Sequence, residues 1–106
     1  MKEKQYCQFW LTCADDAEAS KISHALLKKR LVACVKKLSI ASDFHWKNNI
    51  ENSKEVLLIM ESLAEKFDQA EKLVAELHSY ETFVLQAIPI LRLSSKAQKW
   101  LEEEVT

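Results

Sequence analysis

The segment that most constrains this chain is Val56-Leu57-Leu58-Ile59-Met60, an unbroken apolar run between Glu55 and Glu61. A strand with one wet face alternates apolar and polar residues, because successive side chains point to opposite sides of the sheet. A continuous run instead predicts a central strand that has to be covered on both faces. The question is what else in the chain can supply those covers.

Residues 5–13 alternate: Cys7, Phe9, Leu11 and Cys13 share one face, and Gln8, Trp10 and Thr12 the other. Asp15 or Asp16 can cap a following helix, with Glu18 in the first turn where the helix dipole favours an acid. Ile22, Ala25, Leu26 and Lys29 trace one face of that helix. Lys28-Lys29-Arg30 sit at its C-terminal end, where cations are favoured, and read as a solvated basic terminus. Residues 31–47 form a second strand and 50–61 a third, joined by Asn48-Asn49, which can adopt the positive φ of a two-residue hairpin turn. At roughly 3.3 Å per residue, a strand over 31–47 reaches well past a small domain, so the hairpin must bend, bulge or project. Residues 63–78 form a helix with Leu63, Phe67, Ala70, Leu73, Val74 and Leu77 on one stripe, ended by His78-Ser79-Tyr80-Glu81. Residues 82–91 form a strand in which Pro89 implies an edge or a bulge. A short helix over 95–104 carries Trp100 and Leu101.

This order predicts one α+β domain over residues 1–106, a ferredoxin-like βαββαβ sandwich with a long projecting hairpin and a C-terminal helix. Two helices cover one sheet face. Trp10 lies opposite the Cys7/Phe9/Leu11 set and the third strand has no polar face, so the other side needs a further cover. An identical subunit is the economical source.

Composition narrows the function. A chain of 106 residues, 48% apolar and 29% charged, supports one core without staples. Its formal net charge of −1 gives no general pull toward nucleic acid or anionic lipid. No apolar run is long enough for a signal or a membrane span, so the expected location is cytoplasmic. The chain contains no glycine. That removes the Walker and Rossmann phosphate loops and disfavours nucleotide hydrolysis and dinucleotide redox chemistry. Tight turns then fall to Asn, Asp or Ser. Cys7, Cys13 and Cys34 are an odd count without CxxC spacing, which favours free thiols packed as small hydrophobes. Cys7 and Cys13 stand roughly 20 Å apart along one strand and cannot jointly hold an ion. HExxH and His-x-His spacings are absent as well.

Several segments together resemble the CutA divalent-cation-tolerance family: LVACV at 31–35, Ser42-Asp43-Phe44-His45-Trp46-Lys47, Ile50-Glu51, Glu55 to Ile59, Phe67, Leu77 to Glu81, Ile88-Pro89-Ile90 and Trp100-Leu101. The match follows nearly the whole chain in order. The resemblance implies a non-enzymatic homotrimer with intersubunit sheet pairing, related in structure to PII signalling proteins, and a link to tolerance of divalent metals, copper above all. It also implies His78 as a metal ligand and matches Cys34 to the family's cysteine, a soft thiol donor, with copper or another divalent cation as the bound species; Glu81, three residues after His78, could share its pocket or pair with a lysine. Phe44, Trp46, Lys47, Glu51 and Tyr80 would line a cleft between subunits. The alternative is a PII-like module binding a small ligand or partner, with an indirect effect on metals. The residues also admit plainer roles. His78 could cap a helix end or bond backbone carbonyls, Cys34 could be a packed thiol, and the hairpin aromatics could be interface anchors. The chain departs from the family pattern at Ser79, Phe83-Val84-Leu85, Asn48 and Met60, which touches polar site features more than scaffold.

Overall fold

The computed structural model describes residues 4–106. In chain order the elements are β1 (Tyr6–Cys13), α1 (Asp16–Lys28), β2 (Cys34–Trp46), β3 (Asn49–Leu63), α2 (Phe67–Leu77), β4 (Leu85–Pro89) and α3 (Ser95–Glu104), with a 3₁₀ turn at Ala64–Lys66 leading into α2. The strands form one antiparallel sheet in the order β2-β3-β1-β4. This is the split βαβ arrangement that the element order predicts. The apolar run lies in β3, inside the sheet between β2 and β1. Pro89 ends the edge strand β4, where a missing ladder donor costs least.

α1 and α2 cover one face. Phe9, Leu11, Leu58, Met60, Ile22, Leu26 and Val74 form the centre of a core from which water is excluded. Phe9 meets Phe67 edge-on, with ring centroids 5.5 Å apart. The stripe on α1 differs slightly from expectation: Lys29 is exposed and Ser23 is buried, its hydroxyl donating to the Ala19 carbonyl at 2.6 Å.

The other face is covered at one end. There α3 sets Leu101 and Val105 on Leu63, against Tyr6, Ala33 and Leu93. Beyond α3, Trp10, Leu57 and Ile59 stay half-buried and Leu38 is 48% exposed. The chain itself therefore supplies the second cover of the Val56–Met60 run only in part.

Cys34↔Glu61 to Trp46↔Asn49 pair in one unbroken register, so the β2–β3 hairpin carries no bulge. β1 joins β3 from Val56 onward, and residues 41–54 extend past the sheet as a two-stranded ribbon. The molecule measures 47 × 26 × 23 Å. Of the ways a long hairpin can be accommodated, this one projects.

Several boundaries differ from the sequence reading, and β2 begins at Cys34 rather than at residue 31. The hairpin turn is Lys47-Asn48 (φ 50° and 69°) rather than Asn48-Asn49, because Asn49 already pairs with Trp46. A one-residue slip would turn every side chain of the ribbon to the opposite face. Leu63 belongs to the end of β3 and packs on Leu101; its helical phase with Phe67 disguised the strand-to-helix junction. β4 is limited to Leu85–Pro89, shorter than 82–91.

Candidate functional site

At the end of the sheet away from α3, three chain segments meet. Asp15 caps α1, its carboxylate accepting the Glu18 N–H at 2.9 Å, which fixes Glu18 in the first turn. The Glu18 carboxylate then reaches back to Ala14 N–H (2.9 Å) and across to Ser79 N–H (2.7 Å). It works as a capping box shifted by one residue. In doing so it ties the β1–α1 connection to the α2–β4 connection. Burial pushes this carboxyl up, but the bonds from Ala14 and Ser79, with His78 nearby, outweigh it and hold Glu18 below the usual carboxylate range.

His78 ends α2: its N–H bonds the Val74 carbonyl at 2.8 Å, and its own backbone is already extended. The imidazole is fully buried, stacked on Phe83 with centroids 5.3 Å apart and tilted against Tyr80 at 4.9 Å. Nε2 lies 2.9 Å from the Thr12 carbonyl, and Nδ1 accepts the Tyr80 N–H at 3.0 Å. A carbonyl can only accept and an amide N–H can only donate, so the proton sits on Nε2 and the lone pair on Nδ1. Glu18 Oε1 is 3.6 Å from Nδ1. Cys13, the last residue of β1, is fully buried, and burial, then the negative charges of Glu18, Asp15 and Glu55, push its thiol up to about 12. The ligand atoms of Cys13, Glu18 and His78 all lie within 4.8 Å of one another. Beside them the Tyr80 hydroxyl donates to Glu55 at 2.5 Å, and Glu55 is 7% exposed. Burial first, then this bond, raise the Tyr80 phenol above its ordinary value.

The other residues singled out in the sequence lie elsewhere. Cys34 starts β2 opposite Glu61, which pairs in turn with Gln8, whereas His78 docks at Thr12. Gln8 and Thr12 are separated by roughly 13 Å along β1. Cys34 instead lines a cavity of about 410 Å³ with Lys36, Glu61, Leu93 and Trp100. Glu81 is exposed in the turn after His78. The structure thus does not gather His78, Cys34 and Glu81; the thiol and carboxylate at His78 are Cys13 and Glu18. At the ribbon tip Phe44 and Trp46 are 38% and 39% exposed, Glu51 pairs with Phe44, and the Lys47 ammonium lies 5.6 Å from the centre of the Trp46 ring. Within one chain this group stays apart from Tyr80, whose partner Glu55 is roughly 13 Å down β3 from Glu51. Glu18 and Cys13 were legible only as a dipole-favoured acid and a packed thiol, because nothing local ties either to residue 78.

Together these features define a class: a split βαβ domain with a projecting ribbon, a partly bare sheet face and a buried thiol–carboxylate–imidazole corner. Residues 7–104 match the family model described as CutA1 divalent ion tolerance protein. The divalent-cation tolerance protein CutA of Archaeoglobus fulgidus is 36% identical over 96 residues, covering 91% of this chain and 94% of that protein. A CutA homolog of Xenopus laevis is 30% identical over 97 residues, covering 91% of this chain but 64% of the longer animal protein. The solved structure of the periplasmic divalent cation tolerance protein CutA from Archaeoglobus fulgidus superposes with a TM-score of 0.93 at 35% identity, covering 95% of this chain and 99% of that one. This chain belongs to the CutA1 divalent ion tolerance family.

Proposed function

We propose that this protein is a non-enzymatic homotrimer that serves divalent-cation tolerance, copper foremost, by binding the cation directly and weakly. The observation that carries direct binding is the orientation of His78. Its Nε2 proton is held by a backbone carbonyl, the second-shell contact common among metal-bound histidines, while Nδ1 accepts the Tyr80 N–H and lies 3.6 Å from the Glu18 carboxylate. The trimer is supported by the bare patch of Trp10, Leu38, Leu57 and Ile59, by edge strands β2 and β4 paired on one side only, and by aromatics at the tip of a ribbon long enough to reach a neighbour. In that assembly Phe44, Trp46, Lys47 and Glu51 of one copy approach Tyr80 of the next. Three unpaired thiols favour a reducing, cytoplasmic setting, whereas the Archaeoglobus fulgidus protein is described as periplasmic. No helix among the described residues is long and apolar enough to cross a membrane.

One observation favours a second reading, a PII-like small-ligand or partner-binding module whose effect on metals is indirect. The polar groups of the corner already have hydrogen-bond partners, and among the described residues no buried side-chain polar atom lacks one. A cation has to displace some of these bonds, which is why the binding proposed is weak. Calorimetric titration of the intact protein with copper, zinc and cadmium separates the two. Direct binding predicts saturable heat with at least one of these ions, and the absence of heat with all three leaves the indirect module.

A further inference from the structure

The geometry points to a binding site in the cavity between α3 and the sheet, where Glu61 and Trp100 take a small organic ammonium with an apolar body. None of its residues belongs to the His78 corner, so the inference stands whether or not that corner binds a metal.

The cavity has the make-up of a small-molecule site. Gln8 and Glu61, cross-strand partners on β1 and β3, line it on the sheet side with Lys36 of β2. Leu93 and the α3 residues Trp100 and Leu101 give it apolar and aromatic walls. A volume of about 410 Å³, mostly apolar around a few polar groups, is what such ligands occupy. The polar groups are held in fixed roles. Trp10 Nε1–H can only donate, and it donates to Gln8 Oε1 at 3.1 Å, which leaves the Gln8 NH₂ to donate to Glu61.

Glu61 selects the charge. Gln8 Nε2 and Lys36 Nζ both bond its Oε1, each at 3.0 Å, so Oε2 has no donor among the described residues. No buried side-chain polar atom among those residues lacks a partner, so Oε2 is accessible. The Glu61 side chain is nonetheless only 13% exposed, against 64% for Lys36. A carboxylate so poorly hydrated gains from a further cation, and the exposed Lys36 ammonium can swing into water at small cost when one arrives. An arriving carboxylate would instead meet Glu61 inside the same cavity. A bare inorganic cation would leave the apolar walls unused. An ammonium head on Oε2 sets its hydrocarbon body among Leu93, Leu101 and Trp100, and Trp100, 41% exposed, offers the aromatic surface that ammonium groups favour.

The test is an NMR titration of the full chain with phenethylamine and with hydrocinnamate, which share a body and differ in the sign of the head group. Phenethylamine should saturably shift the Trp100 indole N–H and the Gln8 side-chain amide, and hydrocinnamate should bind at least about ten-fold more weakly. Glu61→Gln keeps an acceptor for Gln8 and Lys36 but removes the charge, and should erase that preference. Lys36→Met removes the resident competitor and should tighten phenethylamine binding by about two- to five-fold, the worth of an exposed ion pair. Equal binding of hydrocinnamate by the unaltered chain, or unchanged or weaker phenethylamine binding in Lys36→Met, overturns the assignment to Glu61. Absence of shifts with both probes overturns the site. If Glu61→Gln then also changes the solution mass, the cavity belongs to a contact with a second copy.

Discussion

Cys7 and Cys13 show how burial sets the behaviour of single residues here. Burial raises their thiols from 9.0 to about 11 and about 12. In that range the folded chain keeps protons that the unfolded chain has lost. The stabilisation is therefore full below pH 9.0 and declines as pH rises toward the folded values. Urea unfolding between pH 8 and 11 should show a falling midpoint, and a Cys7→Ala/Cys13→Ala chain should show a shallower fall. Equal slopes in the two proteins would assign the alkaline loss to other groups. Tyr80 makes a second test. Tyr80→Phe leaves the nearly buried Glu55 without its phenol partner and should cost about 1–3 kcal/mol, read from the same unfolding curves. Legibility at this scale was uneven. His78 could be picked out because the family resemblance carries it, and its plainer role, ending a helix and bonding a backbone carbonyl, is also what the structure displays. Glu18 and Cys13 could not be paired with it, since α1, β1 and the end of α2 converge only once the sheet is built.

Among elements, the ribbon is where the missing glycine is felt. Arg30, Lys47 and Asn48 hold positive φ among the described residues, so asparagine fills one of the left-handed positions and long basic residues fill the others. Arg30 closes α1 with two characteristic bonds, Leu31 N–H to the Leu26 carbonyl and Arg30 N–H to the Leu27 carbonyl, at the position where glycine is usual. Its guanidinium also reaches the Glu104 carbonyl at 3.2 Å, which offsets part of the backbone cost. Lys47 has a smaller compensation, its contact with Trp46. Lys47→Gly should therefore stabilise the ribbon by about 0.5–1 kcal/mol. Slower amide exchange confined to residues 41–54 would register the gain, and unchanged or faster exchange would count against it. Element types and order were readable from alternation and helical stripes. The boundaries at Lys47-Asn48 and Leu63 were not, because cross-strand register and packing on α3 set them, and neither is local.

For the whole molecule, the unbroken run in β3 asked for two covers. The helices α1 and α2 provide one, α3 provides part of the other, and Trp10, Leu38, Leu57 and Ile59 are left between them. A partly bare apolar face beside two open sheet edges is a poor end state for a monomer in water. The sandwich could be derived from the residue pattern, whereas the number of copies came from resemblance alone. Trp46→Ala should loosen the assembly by removing an aromatic from the ribbon tip. A charge in the middle of the bare face should be more severe, since burying it unpaired costs several kcal/mol. The most direct test of the account is therefore the solution mass of the unaltered chain and of Ile59→Lys by light scattering, with circular dichroism confirming the fold. The account predicts three times the 12.3 kDa chain mass for the unaltered protein, and monomer or aggregate for the variant. A monomeric unaltered chain, or a folded Ile59→Lys chain of unchanged trimer mass, would contradict it.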